Sequence, residues 1–329
     1  MKRVFACMLA LVIVFAASLA AEVKTQQKSQ MKFEGALGTM MGLFGGKAAK
    51  EGVVETVVVS GDRKATTREQ TAEIVDLAEE KVYELDLKNK TYKVTTFDEI
   101  RRQMQEAKAR AEKDAQRSEG RKADEGQKEY QVDIDVKDTG QRKTINSFDC
   151  REVVTTITVH EKGKTVEQAG GVVMTADSWM APRIPAMKEI MDFDLRYAQK
   201  LMGIDAAAAA QQMATAMAMY PGMKDALLKY QASGANTDGT AILTTVTFAS
   251  AKSADQAASE QKAGEQPASG GGVGGMLGGF GKRLARKKDD QGGGDKTRAT
   301  IMTMTHELMN VSTSVEPGAV ALPAGFRQK

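Results

Sequence analysis

The sequence predicts a mainly β protein of the α+β class: a curved antiparallel sheet or incomplete barrel of about ten strands, with helices packed on or in it. Three observations predict it. Apolar and polar residues alternate with period two in many short segments. Gly-, Asn- or Asp-bearing turns separate these segments, the pattern of antiparallel hairpins with one buried face. Only two stretches have the composition of helices. A sheet of about ten strands has to curl, close or split rather than lie flat.

The strands follow in order. KSQMKFEG, VVETVVVS and TAEIVDL alternate first, then VYELDL and TYKV, joined by a turn at Lys88-Asn89-Lys90. QVDIDVK puts Val132, Ile134 and Val136 on one face against Asp133 and Asp135 on the other. REVVTTITVH repeats the pattern with Val153, Thr155, Ile157 and Val159. It turns through Glu161-Lys162-Gly163 into TVEQAGGVVMT, read as a further strand. TAILTTVTF and TRATIMTMTHEL complete the set. Between them, FDEIRRQMQEAKARAEKDAQRSEGRKADEGQKE is nearly charge-balanced, with Glu106/Arg110 and Lys108/Glu112 one helical turn apart, as in a solvated helix, and its later half, with Gly120 and Gly126, is expected to fray. The second helical stretch begins after Pro185. Its Ile190, Phe193, Tyr197 and Leu201 form a stripe able to lie on a sheet, and Asp205 is placed to cap the alanine run that follows.

Lys2 and Arg3, the apolar run Val4–Ala17 and the small-residue pattern Ser18-Leu19-Ala20 predict a signal peptide over 1–20. The remainder, 21–329, reads as a single domain with a charged helical insertion at 97–129. A Gly-rich, low-complexity insertion at 250–296 has too little apolar surface to order itself. No later apolar run is long enough to span a bilayer. The expected location is therefore the periplasm or cell envelope. A net charge of +3 gives no basic face of the kind nucleic acids require. Of the two cysteines, Cys7 falls in the leader, so Cys150 has no internal disulfide partner.

The chemistry of an enzyme is missing from the pattern. His160-Glu161 and His306-Glu307 lack the second His of a zinc-protease helix, and two distant His with one Cys predict no metal site. No cofactor fingerprint sits between a strand and a helix; Gly270, Gly272 and Gly275 match a dinucleotide motif in spacing alone. His306 shares a strand face with Met302, Met304 and Leu308 and is expected to point inward. Cys150 is expected to be packed rather than reactive.

Two glycine-diluted apolar tips stand out, GTMMGLFGGK (38–47) and GGMLGGFGKR (274–283). If the strands form an antiparallel meander that closes, or nearly closes, so that the first and last strands are neighbours, both tips fall on one rim. Met40, Met41, Leu43, Phe44, Met276, Leu277 and Phe280, with Trp179 and His306, are the candidate ligand- or membrane-contacting residues. Lys282, Arg283, Arg286, Lys287 and Lys288 are placed to meet anionic headgroups, at about 1 kcal/mol each near such a surface. Packing of the tips on the sheet is the competing reading.

Several stretches carry a resemblance: EKVYELDLKNKTYKVTTFDEI (80–100), INSFDCREVVTTITV (145–159), GGVVMTADSW (170–179) and the ending VEPGAVALPAGFRQK (315–329). In their order they resemble an uncharacterised family of exported bacterial proteins, and in architecture the LolA-type lipoprotein carriers. The resemblance implies an incomplete antiparallel barrel wrapped around helices. It implies binding of a lipid, a lipidated protein or another apolar ligand without catalysis, and it brings no assigned functional residues. A structural or sensory interaction module with no small-molecule ligand is the alternative.

Overall fold

The computed structural model describes residues 22–35, 38–39, 51–119, 129–203, 211, 214, 228, 237–253 and 298–329. Twelve strands are present among them. Those before the first long helix are β1 (Glu22–Phe33), β2 (Val53–Ser60), β3 (Arg63–Thr67), β4 (Thr71–Asp76), β5 (Lys81–Asp86) and β6 (Thr91–Thr96). Then come helix α1 (Phe97–Glu119), β7 (Tyr130–Ile145), β8 (Phe148–Glu161), the single turn α2 (Val166–Ala169) and β9 (Gly171–Ala181). Helix α3 (Met187–Met202), β10 (Thr240–Ala251), β11 (Arg298–Ser312) and the two-residue β12 (Arg327–Gln328) complete the order.

All twelve strands form one sheet, in the order β12-β6-β5-β4-β3-β2-β1-β11-β10-β9-β8-β7. Every pairing is antiparallel except the parallel β12–β6 contact, which makes the sheet mixed. The expected mainly β architecture, a curved antiparallel sheet or incomplete barrel of about ten strands, is made definite in two respects. The sheet has twelve strands rather than about ten, and it is open, with β7 at one edge and β12 at the other. The first and last long strands do pair, β1 with β11, but at the centre of the sheet and not by closure. Each half is a run of hairpins, and the central pair joins the halves.

Helix α3 forms where the sequence stripe predicts it. Ile190 and Phe193 are buried, and Tyr197 and Leu201 pack beside them against Val23, Val57, Val59 and Val75. Gly203, left-handed at φ 60°, ends the helix. Helix α1 starts at Phe97, fully buried in the same cluster, with its ring 5.3 Å from that of Tyr197. The Thr96 hydroxyl accepts the Glu99 N–H at 3.2 Å as an N-cap, and Arg101 donates to the Lys200 carbonyl at 2.8 Å, tying the two helices together. From Arg102 to Asp114 the side chains of α1 are exposed. Its Glu106–Arg110 pair at 3.8 Å is exposed and contributes little.

The C-terminal segment covers the opposite face of the N-terminal half, where Val320, Leu322 and Phe326 pack on Ala65, Ala72, Ile74 and Leu85. The stretch TVEQA is not strand. Thr165 and Gln168 form a capping box, in which the Gln168 Oε1 accepts the Thr165 N–H at 2.9 Å, and residues 166–169 make one helical turn.

Candidate functional site

The chain segments that lead to the two tips leave the sheet from one end, although the sheet does not close. Phe33 ends β1 beside Met302 of β11, and the Glu34 N–H donates to the Ile301 carbonyl at 2.9 Å. Ala251 ends β10 opposite Arg298. The segments leaving β1 and entering β11 therefore start from one rim. The apolar residues Met40, Met41, Leu43, Phe44, Met276, Leu277 and Phe280 lie outside the described residues. So do Lys282, Arg283, Arg286, Lys287 and Lys288, and the leader 1–20.

Below that rim, the register assembles a surface that the strands do not reveal one at a time. Directly opposed residues of an antiparallel pair present their side chains on the same face. One row across six strands reads Phe33, Met302, Phe248, Met174, Ile157 and Ile134. The next, one pleat down, reads Met31, Met304, Val246, Ala176, Thr155 and Val136. One pleat above the first lie Val172, Val159 and Val132. Phe248, Met174, Ile157 and Ile134 are only half-buried, while Met31, Met304 and Val172 are 43%, 38% and 46% exposed.

The reverse face of the same strands reads Lys32, Thr303, Thr247, Thr175, Thr156 and Asp135. One face is thus a threonine and charge ladder, the other a broad apolar field. In an ordinary sheet the apolar face lies against a core. Among the described elements, α3 packs on β1 and β2, and α1 on β6. Of the described elements, the two long helices α1 and α3 cover the far end of the sheet and not this field, and the single turn α2 touches β8.

A polar row closes the field on its inner side. It runs Ser29, His306, Thr244 and Ser178 across β1, β11, β10 and β9. Ser29 Oγ and His306 Nδ1 are 3.1 Å apart and share a hydrogen bond, and the Thr244 hydroxyl donates to Ser178 Oγ at 3.3 Å. His306 therefore shares its face with Met302 and Met304 as expected, but it is exposed and not interior. Only Leu308, one pleat further, is buried. The reason is the limit of the core: burial on β11 begins where the inner clusters reach it.

No protein-family model, no curated protein and no solved structure matches this chain. The site rests on its own geometry.

Trp179 departs from its candidate role. It is buried with Cys150, Ala181, Ile242 and Leu308, and the Lys143 ammonium stacks on its ring at 4.2 Å. The β7–β8 turn folds over to reach this cluster, and Asn146 Nδ2 donates to Glu307 Oε1 at 2.9 Å and to the Leu308 carbonyl at 3.1 Å. Trp179 is core because that turn closes over it, a contact no local pattern encodes. Cys150 is packed as expected. Burial holds its thiol above the ordinary range, so it is a poor nucleophile.

Sequence reasoning also missed the environment of His160. This side chain is buried at the β7–β8 edge, with Nε2 2.7 Å from Asp133 Oδ2 and Nδ1 3.1 Å from the Glu161 carbonyl. Both ring nitrogens face oxygen acceptors, an arrangement that only the imidazolium satisfies with two N–H donors. The Asp133 hydrogen bond raises the His160 pKa against the opposing effect of burial. The period-two pattern placed Asp133 on the solvated face, and a carboxylate beside a histidine there was the available signal.

A groove of about 440 Å³ lies at the other half of the sheet, lined by Arg68, Glu73, Glu84, Asp86, Thr91 and Lys93, among others. Its charges are of both signs and partly neutralise one another: Arg68 reaches Glu55 at 3.0 Å, and Lys329 lies 3.9 Å from Asp86. Among the described residues, no group of three or more His, Cys, Asp or Glu side chains is placed to hold a metal ion, and no helix is long and apolar enough to cross a membrane.

Proposed function

We propose that this chain is an exported, non-enzymatic binding protein for a lipid, a lipidated protein or another apolar ligand of the cell envelope. The observation that carries the reading is the field of Phe, Met, Ile and Val rows spanning β1 and β7–β11, left half-exposed beside a polar row. Large contiguous apolar patches on a folded protein mark interaction sites, and Met side chains adapt to irregular apolar partners. The leader-like start supports a place outside the cytoplasm. A sheet antiparallel in all but its β12–β6 contact, with helices against part of one face, supports a LolA-like way of holding such a ligand.

Binding of the uncharged fluorescent probe N-phenyl-1-naphthylamine tests the reading. The wild-type protein binds it with enhanced emission. Met304→Asp and Val172→Asp each place a carboxylate on the field and weaken binding by roughly tenfold or more, without loss of folded structure by circular dichroism. Probe affinity unchanged in both variants overturns the assignment of the site to this face.

A further inference from the structure

The polar row has a one-sided relation to the apolar field, and that asymmetry orients a ligand. Towards the rim, the field continues from Ser178 through Ala176 and Met174 to Val172, six residues along β9 and about 20 Å. Away from the rim, buried Leu308 and Ile242 close the floor. An extended apolar chain lying along the strands therefore has room on one side of the row only.

The row also offers hydrogen bonds of a definite kind. A hydroxyl has one proton to donate. Thr244 gives its proton to Ser178, so the Ser178 proton points elsewhere. Ser29 and His306 Nδ1 share one proton between them, which leaves His306 Nε2 for another partner on an exposed side chain. A pure hydrocarbon laid over these groups strips water from them and returns nothing. An oxygen-bearing head at the end of a chain accepts from them.

We infer that the ligand is an acyl lipid, seated with its chain along β9–β11 towards the rim and its carboxylate or ester carbonyl on the Ser29–His306–Thr244–Ser178 row. This inference rests on the proposed apolar-ligand function of the same face. A free fatty acid and the ester-linked chain of a lipidated partner share this chemistry, and the test separates them.

Displacement of N-phenyl-1-naphthylamine is measured with palmitic acid, methyl palmitate and hexadecane, each delivered from cyclodextrin. The wild-type protein releases the probe to the oxygen-headed ligands at concentrations about tenfold or more below that needed for hexadecane. In Thr244→Val/Ser178→Ala/His306→Leu, with each displacement read relative to that variant's own probe affinity, the preference is lost and the three ligands compete alike. A stronger effect of palmitic acid than of its ester assigns a free carboxylate, and equal effects assign an ester-linked chain. If the triple variant fails to fold, Ser178→Ala alone gives a smaller shift in the same direction. Equal competition by all three ligands in the wild type overturns the role of the row while leaving the apolar site intact. Failure of the wild type to bind the probe at all removes both the site and this ligand.

Discussion

The two halves of this sheet present one continuous face, yet they use it in opposite ways. In the N-terminal half, Val57, Val59, Val75 and Val82 lie under α1 and α3, and beyond the helices the same face turns to Glu55, Glu73, Glu84 and Lys93. In the C-terminal half the face stays apolar past the end of the helical cover, through Met304, Met302 and Val172. Strand length accounts for part of the difference. β3 to β6 have five or six residues each, whereas β7 to β11 have eleven to sixteen. At about 3.3 Å per residue the long strands reach well beyond the helices. A short strand past its cover turns polar, as solvent exposure demands. The long strands do not, and an apolar surface kept in water needs a partner to explain it.

Mutations can break this comparison, and the largest effect belongs to the covered half. Phe193 is fully buried between α3 and the sheet, so Phe193→Ala lowers stability by about 3–5 kcal/mol. Met304→Ala in the open half costs less than about 1 kcal/mol. Urea unfolding of both variants measures the contrast, and equal losses mean that the open field is packed as tightly as the core. Next comes the fold-over that separates buried Trp179 from the exposed field. Asn146→Ala removes both hydrogen bonds to β11 and costs about 1–3 kcal/mol, with the Trp179 emission shifting to the red as water reaches the ring. An unshifted spectrum with full stability shows that the turn is held by other contacts.

The smallest effect sharpens the edge of the open half and depends on pH. The folded-state pKa of His160 is raised by Asp133, so folding favours the protonated form. Its contribution is complete below the unfolded value near 6.5 and disappears as pH rises through the higher folded value. The melting temperature of the wild type therefore exceeds that of His160→Gln by more at about pH 5.5 than at about pH 8.5. A gap that is constant across that range, or larger at high pH, removes the imidazolium from the account.

Much of this architecture is legible along the chain. Alternation located nearly every long strand, and the Ile190/Phe193/Tyr197/Leu201 stripe was read as the side of α3 that meets the sheet. β3 was not legible because RKATT offers one small apolar residue, Ala65, to an inner face. Its place comes from pairing with β2 and β4 on both sides. TVEQA was misread as strand because its capping box competes with a short apolar alternation, and the side-chain hydrogen bond prevails. His306, expected to point inward, is exposed, and Trp179, a candidate contact residue, is buried. Their own strands set which face each takes, but distant segments set how much of that face is covered.

By itself the sequence determined the period of each segment, and hence which residues share a side of the sheet, since that follows from the two-residue repeat of an extended backbone. Tertiary structure alone decided the central β1–β11 pairing, the register that aligns six strands into rows, and the extent of the helical cover. Those depend on pairings between separate segments, the most distant being β1 with β11 (Lys24 opposite Ser312), which no local periodicity encodes.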